Sequence, residues 1–158
     1  MQYVGLDIHL KHINACIMDE AGQIQAERKL RNDPDDFSKL LAYLDREQCK
    51  ITIEACSCWE YVYDYLTDAG FQVVLANPSR IKQYQNNKKK TDKTDAKTLA
   101  NLLRTNMLPT AYAAPSHVRD YRQLTRHKTS LTRLAKARSK GEEQNSRNTD
   151  KERHCSRL

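Results

Sequence analysis

Apolar and polar positions alternate from the start of the chain. Val4, Leu6 and Ile8 fall on one side of an extended backbone, and Tyr3, Gly5, Asp7 and His9 on the other. Period-two alternation predicts a strand over residues 2–9. A second apolar run, Ile13 to Met18, ends at Asp19-Glu20-Ala21-Gly22, a turn composition, and residues 23–30 supply a third strand. Connections this short predict an antiparallel meander. The period then lengthens. Asn32-Asp33-Pro34 is a helix start, and Phe37, Leu40, Leu41 and Leu44 follow at helical spacing, predicting a helix over 34–48. Lys50 to Glu54 is short and β-branched, a fourth strand. Ser57 is expected to cap a helix whose apolar face is Trp59, Val62, Leu66 and Ala69, with Gly70 as its stop. Phe71 to Ala76 is a fifth strand, and Asn77-Pro78-Ser79 opens a turn or short helix through Tyr84. The order β-β-β-α-β-α-β-α describes an α/β fold: a mixed five-stranded sheet with flanking helices.

The second half reads differently. Ala96, Leu99, Ala100 and Leu103 carry a helix to about Arg104, and Pro109 and Pro115 bracket a linker. From Ser116, residues His117, Tyr121, Leu124, Lys128, Leu131 and Ala135 recur at four-three spacing, an impure coiled-coil seam suited to pairing with a second copy or to docking on sequence outside this chain. Beyond Ser139 apolar residues nearly vanish, which predicts a disordered tail. The expected organisation is a catalytic domain over 1–108, a linker and helical segment over 109–138, and the tail over 139–158.

Charge sharpens this picture. Seven basic and 13 acidic residues precede Arg80, whereas 20 basic and 7 acidic residues follow from it onward, giving the net +7. A basic half favours a nucleic-acid partner. No run of about 18 apolar residues exists to span a membrane, and the first residues lack the basic start of a signal peptide. Five cysteines without zinc-ligand spacing read as reduced thiols of a cytosolic protein.

Within the most basic run, Lys88-Lys89-Lys90-Thr91-Asp92-Lys93-Thr94-Asp95-Ala96-Lys97, two aspartates stand three apart. On a helix they share a face, and their mutual repulsion is relieved by a cation between them. Asp7 in the first strand and Glu54 closing the fourth are two further acids at informative positions, since α/β sheets place ligands at strand ends. Each has a bland reading: a hydrogen-bonded strand residue, an exposed end, a first-turn helix acid. Together they suit a shared site for hard cations such as magnesium, which phosphodiester chemistry uses in pairs.

The motifs Tyr3-Val4-Gly5-Leu6-Asp7, Ile53-Glu54-Ala55, Val74 to Lys82 and Lys90 to Ala100 resemble the N-terminal part of the DEDD transposases of insertion sequences, the insertion-sequence 110 family. Residues 115–133 are similar to the helical segment that follows there. The resemblance covers roughly residues 2–136. It implies an RNase H-like, RuvC-type domain followed by a long helix, with Asp7, Glu54, Asp92 and Asp95 as catalytic tetrad and ligands of two Mg2+ ions, Mn2+ being a possible substitute. It implies site-specific recombination of the element's DNA with its target, a structured guide RNA, and a nucleoid-associated cytoplasmic location in a prokaryote. Arg80, Lys82, Lys88, Lys89, Lys90, Lys93 and Lys97 would contact phosphates, and residues 116–136 would join copies into a homo-oligomer.

Two departures stand out. Cys56-Ser57-Cys58-Trp59 replaces the small pair usual before the aromatic, and nothing here resembles the family's second domain with its nucleophilic serine, so the chain is expected to be incomplete as a recombinase. Rival readings are a junction-resolvase-like nuclease and a non-catalytic nucleic-acid-binding fragment. An actin-like ATPase would need glycine-rich phosphate loops, and the four glycines, at 5, 22, 70 and 141, are scattered.

Overall fold

The computed structural model describes residues 1–83 and 92–155, with side chains at 92–94 and from 141 onward outside the description. Three strands come first: β1 (Gln2–Ile8), β2 (His12–Met18) and β3 (Ile24–Arg31). Then α1 (Pro34–Leu41), β4 (Cys49–Glu54), α2 (Trp59–Asp68), β5 (Gln72–Ala76) and α3 (Pro78–Ile81) alternate. Two longer helices follow, α4 (Asp92–Arg104) and α5 (Ser116–Cys155).

The sheet order is β3-β2-β1-β4-β5. The pairs β1–β2 and β2–β3 are antiparallel, as tight turns require, whereas β1–β4 and β4–β5 are parallel and are linked by helical crossovers. This is the mixed five-stranded α/β sheet expected from the residue pattern.

The two faces are packed differently. Val4, Leu6, Ile8, Ile13, Ile51 and Ile53 point to one side and form a core with Phe37 and Leu40 of α1 and Val62 and Leu66 of α2. Each such fully buried side chain contributes about 1.5–3 kcal/mol. The other side of β1 carries Gly5 and Asp7, level by register with Cys16 and Asn14 of β2 and, at Gly5, with Thr52 of β4. Here α4 lies close, with Ala96 and Ala100 against Cys16 and Met18. A Cβ on Gly5 would run into the Ala96 carbonyl oxygen and stand 2.6 Å from the Ala100 nitrogen.

Several boundaries differ from the sequence reading. The first helix ends at Leu41 rather than 48. Past it the Asp45 carboxylate takes the Glu47 N–H at 3.0 Å, a local side-chain turn that competes with helix. At its start Asp33 caps the helix through the Asp36 N–H. Arg31 donates to Asp36 from both backbone and guanidinium, which holds that carboxyl well below the usual range. Ser57 is not the cap of α2; Cys58 occupies that place without a side-chain bond. Gly70 does end α2, at φ 84, with its N–H on Thr67 O and that of Phe71 on Leu66 O. That is the paired closure of a left-handed helix end, for which glycine has no Cβ penalty.

The supposed linker also belongs in part to the sheet unit. Thr110 bridges antiparallel to Ala76, the Asn77 N–H bonds Pro109 O at 2.8 Å, and the Ala111 N–H bonds Leu75 O at 2.7 Å. The first compact unit accordingly runs from Met1 to Ala113, not to 108. The second unit is α5, which continues to Cys155 through the stretch read as a disordered tail. That stretch lacks an apolar face but contains no proline and many helix-forming Lys, Arg, Glu and Gln residues. Tyr121, Leu124, Leu131 and Leu134 on α5 are exposed.

The Gly5 approach is to backbone, so no side-chain rearrangement relieves it. Gly5→Ala is expected to cost at least about 2–3 kcal/mol. Gly22→Ala, at φ 83 with only the flexible Arg104 guanidinium in the way, should cost about 1 kcal/mol. Urea unfolding of both variants checks the ranking; an unchanged midpoint for Gly5→Ala would show that α4 does not rest on β1.

Candidate functional site

Strand register brings two of the predicted acids together. In the parallel β1–β4 pair Leu6 stands opposite Ile53. One step further, at the carboxyl ends of both strands, come Asp7 and Glu54, on the face that α4 covers. Asp7 is buried, Glu54 is half-buried, and Glu54 pairs with Ala76 of β5 on its other side.

The direction of α4 brings the other two to the same edge. Its last residue, Arg104, donates to Glu20 O in the β2–β3 turn, near the amino end of β1. Ala96 and Ala100 sit over the middle of β1 and β2, and Leu99 packs with Ala76 and Ile81 on the β5 side. The helix therefore begins over the carboxyl ends of β1 and β4. Asp95, one turn before Leu99, is buried there. Asp92 opens the helix, one turn before Ala96, and its side chain lies outside the described residues.

Among the described residues no three His, Cys, Asp or Glu side chains form a group able to hold a metal ion. Asp7, Glu54 and Asp95 are all described and do not by themselves form such a group; the fourth predicted acid, Asp92, has its side chain outside the described residues. The chemistry of the predicted tetrad suits a hard divalent cation, since every donor is a carboxylate oxygen.

The basic residues divide into two groups. Arg80 in α3, Lys82 just after it and Lys97 on α4 are exposed. The first two follow β5 directly, at the same carboxyl edge as Glu54. Lys97 reaches across toward β2, where its charge pulls the Cys16 thiol down against the larger upward push of burial and of Glu27. Lys88, Lys89 and Lys90 lie outside the described residues, as does the Lys93 side chain. Behind Glu54, the Cys56 and Cys58 sulfurs stand 3.7 Å apart, and burial pushes the Cys56 thiol up to about 11. This departure therefore presents Cys56 as a protonated, weakly nucleophilic thiol at neutral pH.

One polar neighbour of the site was not singled out from the sequence. His9 Nε2 lies 2.9 Å from Asp7 Oδ2. The available signal was the i, i+2 spacing, which puts both side chains on one face of an extended chain.

Comparison with known proteins bears on the family and the fold. Residues 4–141 match the family model DEDD_Tnp_IS110, described as Transposase. The chain is 31% identical over 105 residues to the "Transposase for insertion sequence element IS1533" of Leptospira borgpetersenii, covering 65% of this chain and 30% of that protein. It is 27% identical over 113 residues to the "Mini-circle putative transposase for IS117" of Streptomyces coelicolor, covering 66% of this chain and 27% of that one. The chain thus spans about a third or less of these relatives. Among solved structures, that titled "Thermus thermophilus RuvC structure" superposes with a TM-score of 0.50 at 13% identity, over 70% of this chain and all of that one. This likeness establishes the RNase H-like, RuvC-type fold.

Asn77 joins β5 to α3. Its side chain accepts the Ser79 N–H, capping α3. Asn77→Ala is expected to lower stability by about 1 kcal/mol, read as a shift in urea midpoint, while Asn77→Asp should restore most of it. Equal losses in both would rule out the cap as the cause.

Proposed function

The chain belongs to the IS110-type DEDD transposase family, and on that premise we propose that its sheet unit is the metal-dependent nuclease portion of an insertion-sequence recombinase. The observation that supports this reading is the placement of Asp7 and Glu54 at the carboxyl ends of adjacent parallel strands, on the sheet face against which α4 packs. In this reading Asp7, Glu54, Asp92 and Asp95 hold Mg2+, or Mn2+ in its place. Two such ions, when bound, activate the attacking oxygen and stabilise the leaving oxygen of a phosphodiester. Seating the acids on two strand ends and one helix start fixes their spacing before any ion arrives. The covering helix keeps bulk water from one side.

The substrate proposed is the DNA of the mobile element and its target, with a structured guide RNA as a further partner. What supports a polyanionic ligand is the charge of the second half of the chain, the position of Arg80 and Lys82 just after β5, and the exposure of Lys97 on α4. Lys88, Lys89, Lys90 and Lys93 belong to the same proposed surface. The exposed apolar positions Tyr121, Leu124 and Leu131 of α5 support assembly of copies through residues 116–136. No helix among the described residues is long and apolar enough to cross a membrane. Work on nucleoid DNA in the cytoplasm is part of the same proposal.

Metal-dependent nicking of linear and branched DNA tests the site. Asp7→Asn and Asp92→Asn should each lower the Mn2+-supported rate at least about a hundredfold, with unfolding midpoints within error of the parent. Retained activity in either variant would remove that residue from the tetrad. Cleavage of branched DNA alone would favour a resolvase-like activity instead. For the basic surface, replacing Lys88, Lys89 and Lys90 by alanine should weaken DNA binding and flatten the log-affinity against log-salt plot by about 0.9 for each phosphate that these lysines neutralise. An unchanged slope would exclude them from the DNA surface.

A further inference from the structure

The turn joining β1 to β2 is fastened from several directions onto one carboxylate. The His9 N–H bonds His12 O at 2.9 Å, closing the turn. Asn32, just after β3, donates its side-chain amide to His9 O at 2.9 Å and its backbone N–H to Lys11 O at 3.2 Å. The imidazole of His12 stacks on that of His9, with centroids 4.6 Å apart and planes inclined by 20°. The stacked His9 ring directs Nε2 to Asp7 Oδ2 at 2.9 Å. The His9 side chain remains 41% exposed, whereas that of Asp7 is 11% exposed. A ring this open contributes little to the core, so its fastening calls for another explanation. An ionised carboxylate only accepts hydrogen bonds, so Nε2 is the donor.

We propose that His9 is a positioning residue for Asp7, its imidazole held by His12 and by the Asn32-buttressed turn so that the carboxylate is fixed for a divalent cation. This rests on the reading of Asp7 as a metal ligand. One carboxylate oxygen is engaged by the ring, and the group loses its freedom to rotate about its terminal torsion. Hydrogen bonds to ligating carboxylates are the part of a metal site that orients the ligand, and their loss typically weakens metal binding about 10–100-fold. The role belongs to a donor at the Nε2 position, which a glutamine amide can also supply.

The test uses the full chain and Mn2+ as the probe. Mn2+ affinity, read by electron paramagnetic resonance, should fall about tenfold or more in His9→Ala and stay within about threefold of the parent in His9→Gln. The metal-free unfolding midpoints of both should match the parent. In the metal-free chain, imidazole nitrogen-15 shifts should report Nε2 as the protonated nitrogen of His9, and the signal should move in Asp7→Asn. Unchanged affinity in His9→Ala, an equal loss in His9→Gln, or protonation at Nδ1 would each overturn the inference. If Asp7→Asn loses Mn2+ and His9→Ala does not, only the role of His9 fails. If Asp7→Asn binds Mn2+ as the parent does, the metal reading of Asp7 fails and the inference with it.

Discussion

The absence of a side chain at Gly5 is the constraint on which the rest of this structure depends. It allows the backbone of α4 to rest directly on β1, with the small side chains of Ala96 and Ala100 packed against the sheet. Glycine inside a strand ordinarily weakens it and is retained where another backbone must come close. Here the close approach has a geometric consequence. A helix seated this near the sheet, and anchored by Arg104 at the β2–β3 turn, must start over the carboxyl ends of β1 and β4. The opposite face follows another rule. Large side chains such as Phe37, Leu40 and Leu66 fill a thicker layer there, and that layer supplies most of the hydrophobic stability.

Much of the sheet was legible because its signals are local. Alternation in β1, the turn composition after Met18, and the Asn77-Pro78 helix start each depend on a few adjacent residues. The failures depend on distant partners. Helical spacing through Leu44 suggested a longer first helix, because Leu44 is indeed buried; it reaches the core from a turn rather than from a helix. Residues 109–111 were read as linker since no periodicity marks them, yet they lie along the edge of β5, where the pairing is set by free backbone groups and not by side-chain pattern. The stretch after Ser139 lacks an apolar face, and hydrophobic pattern alone says little about a helix that buries nothing.

The candidate site was legible to a different degree. Asp7 and Glu54 follow from strand ends, and parallel pairing with a fixed register made them neighbours. His9 was visible as a same-face neighbour of Asp7, but nothing local shows that a turn closed by His12 and held by Asn32, from beyond β3, would aim its ring. Local rules broken without local compensation tend to mark functional positions. Asp7 is such a case, a charged group on a strand face that simple alternation assigns to solvent and the fold covers with a helix.

The same topology undoes the charge segregation of the sequence. Acidic residues dominate before Arg80 and basic ones after it, which taken linearly suggests two separate surfaces. In space, β5 ends at the carboxyl edge of the sheet and passes straight into α3 with Arg80, while α4 returns over that edge carrying Lys97. Arg80 thereby follows the same carboxyl edge at which Glu54 closes β4, and Lys97 lies toward β2. In the proposed function, an acidic centre alone would repel a phosphodiester, and a basic surface alone would bind one without acting on it. The close crossing of α4 over β1 is possible only because nothing projects from Gly5.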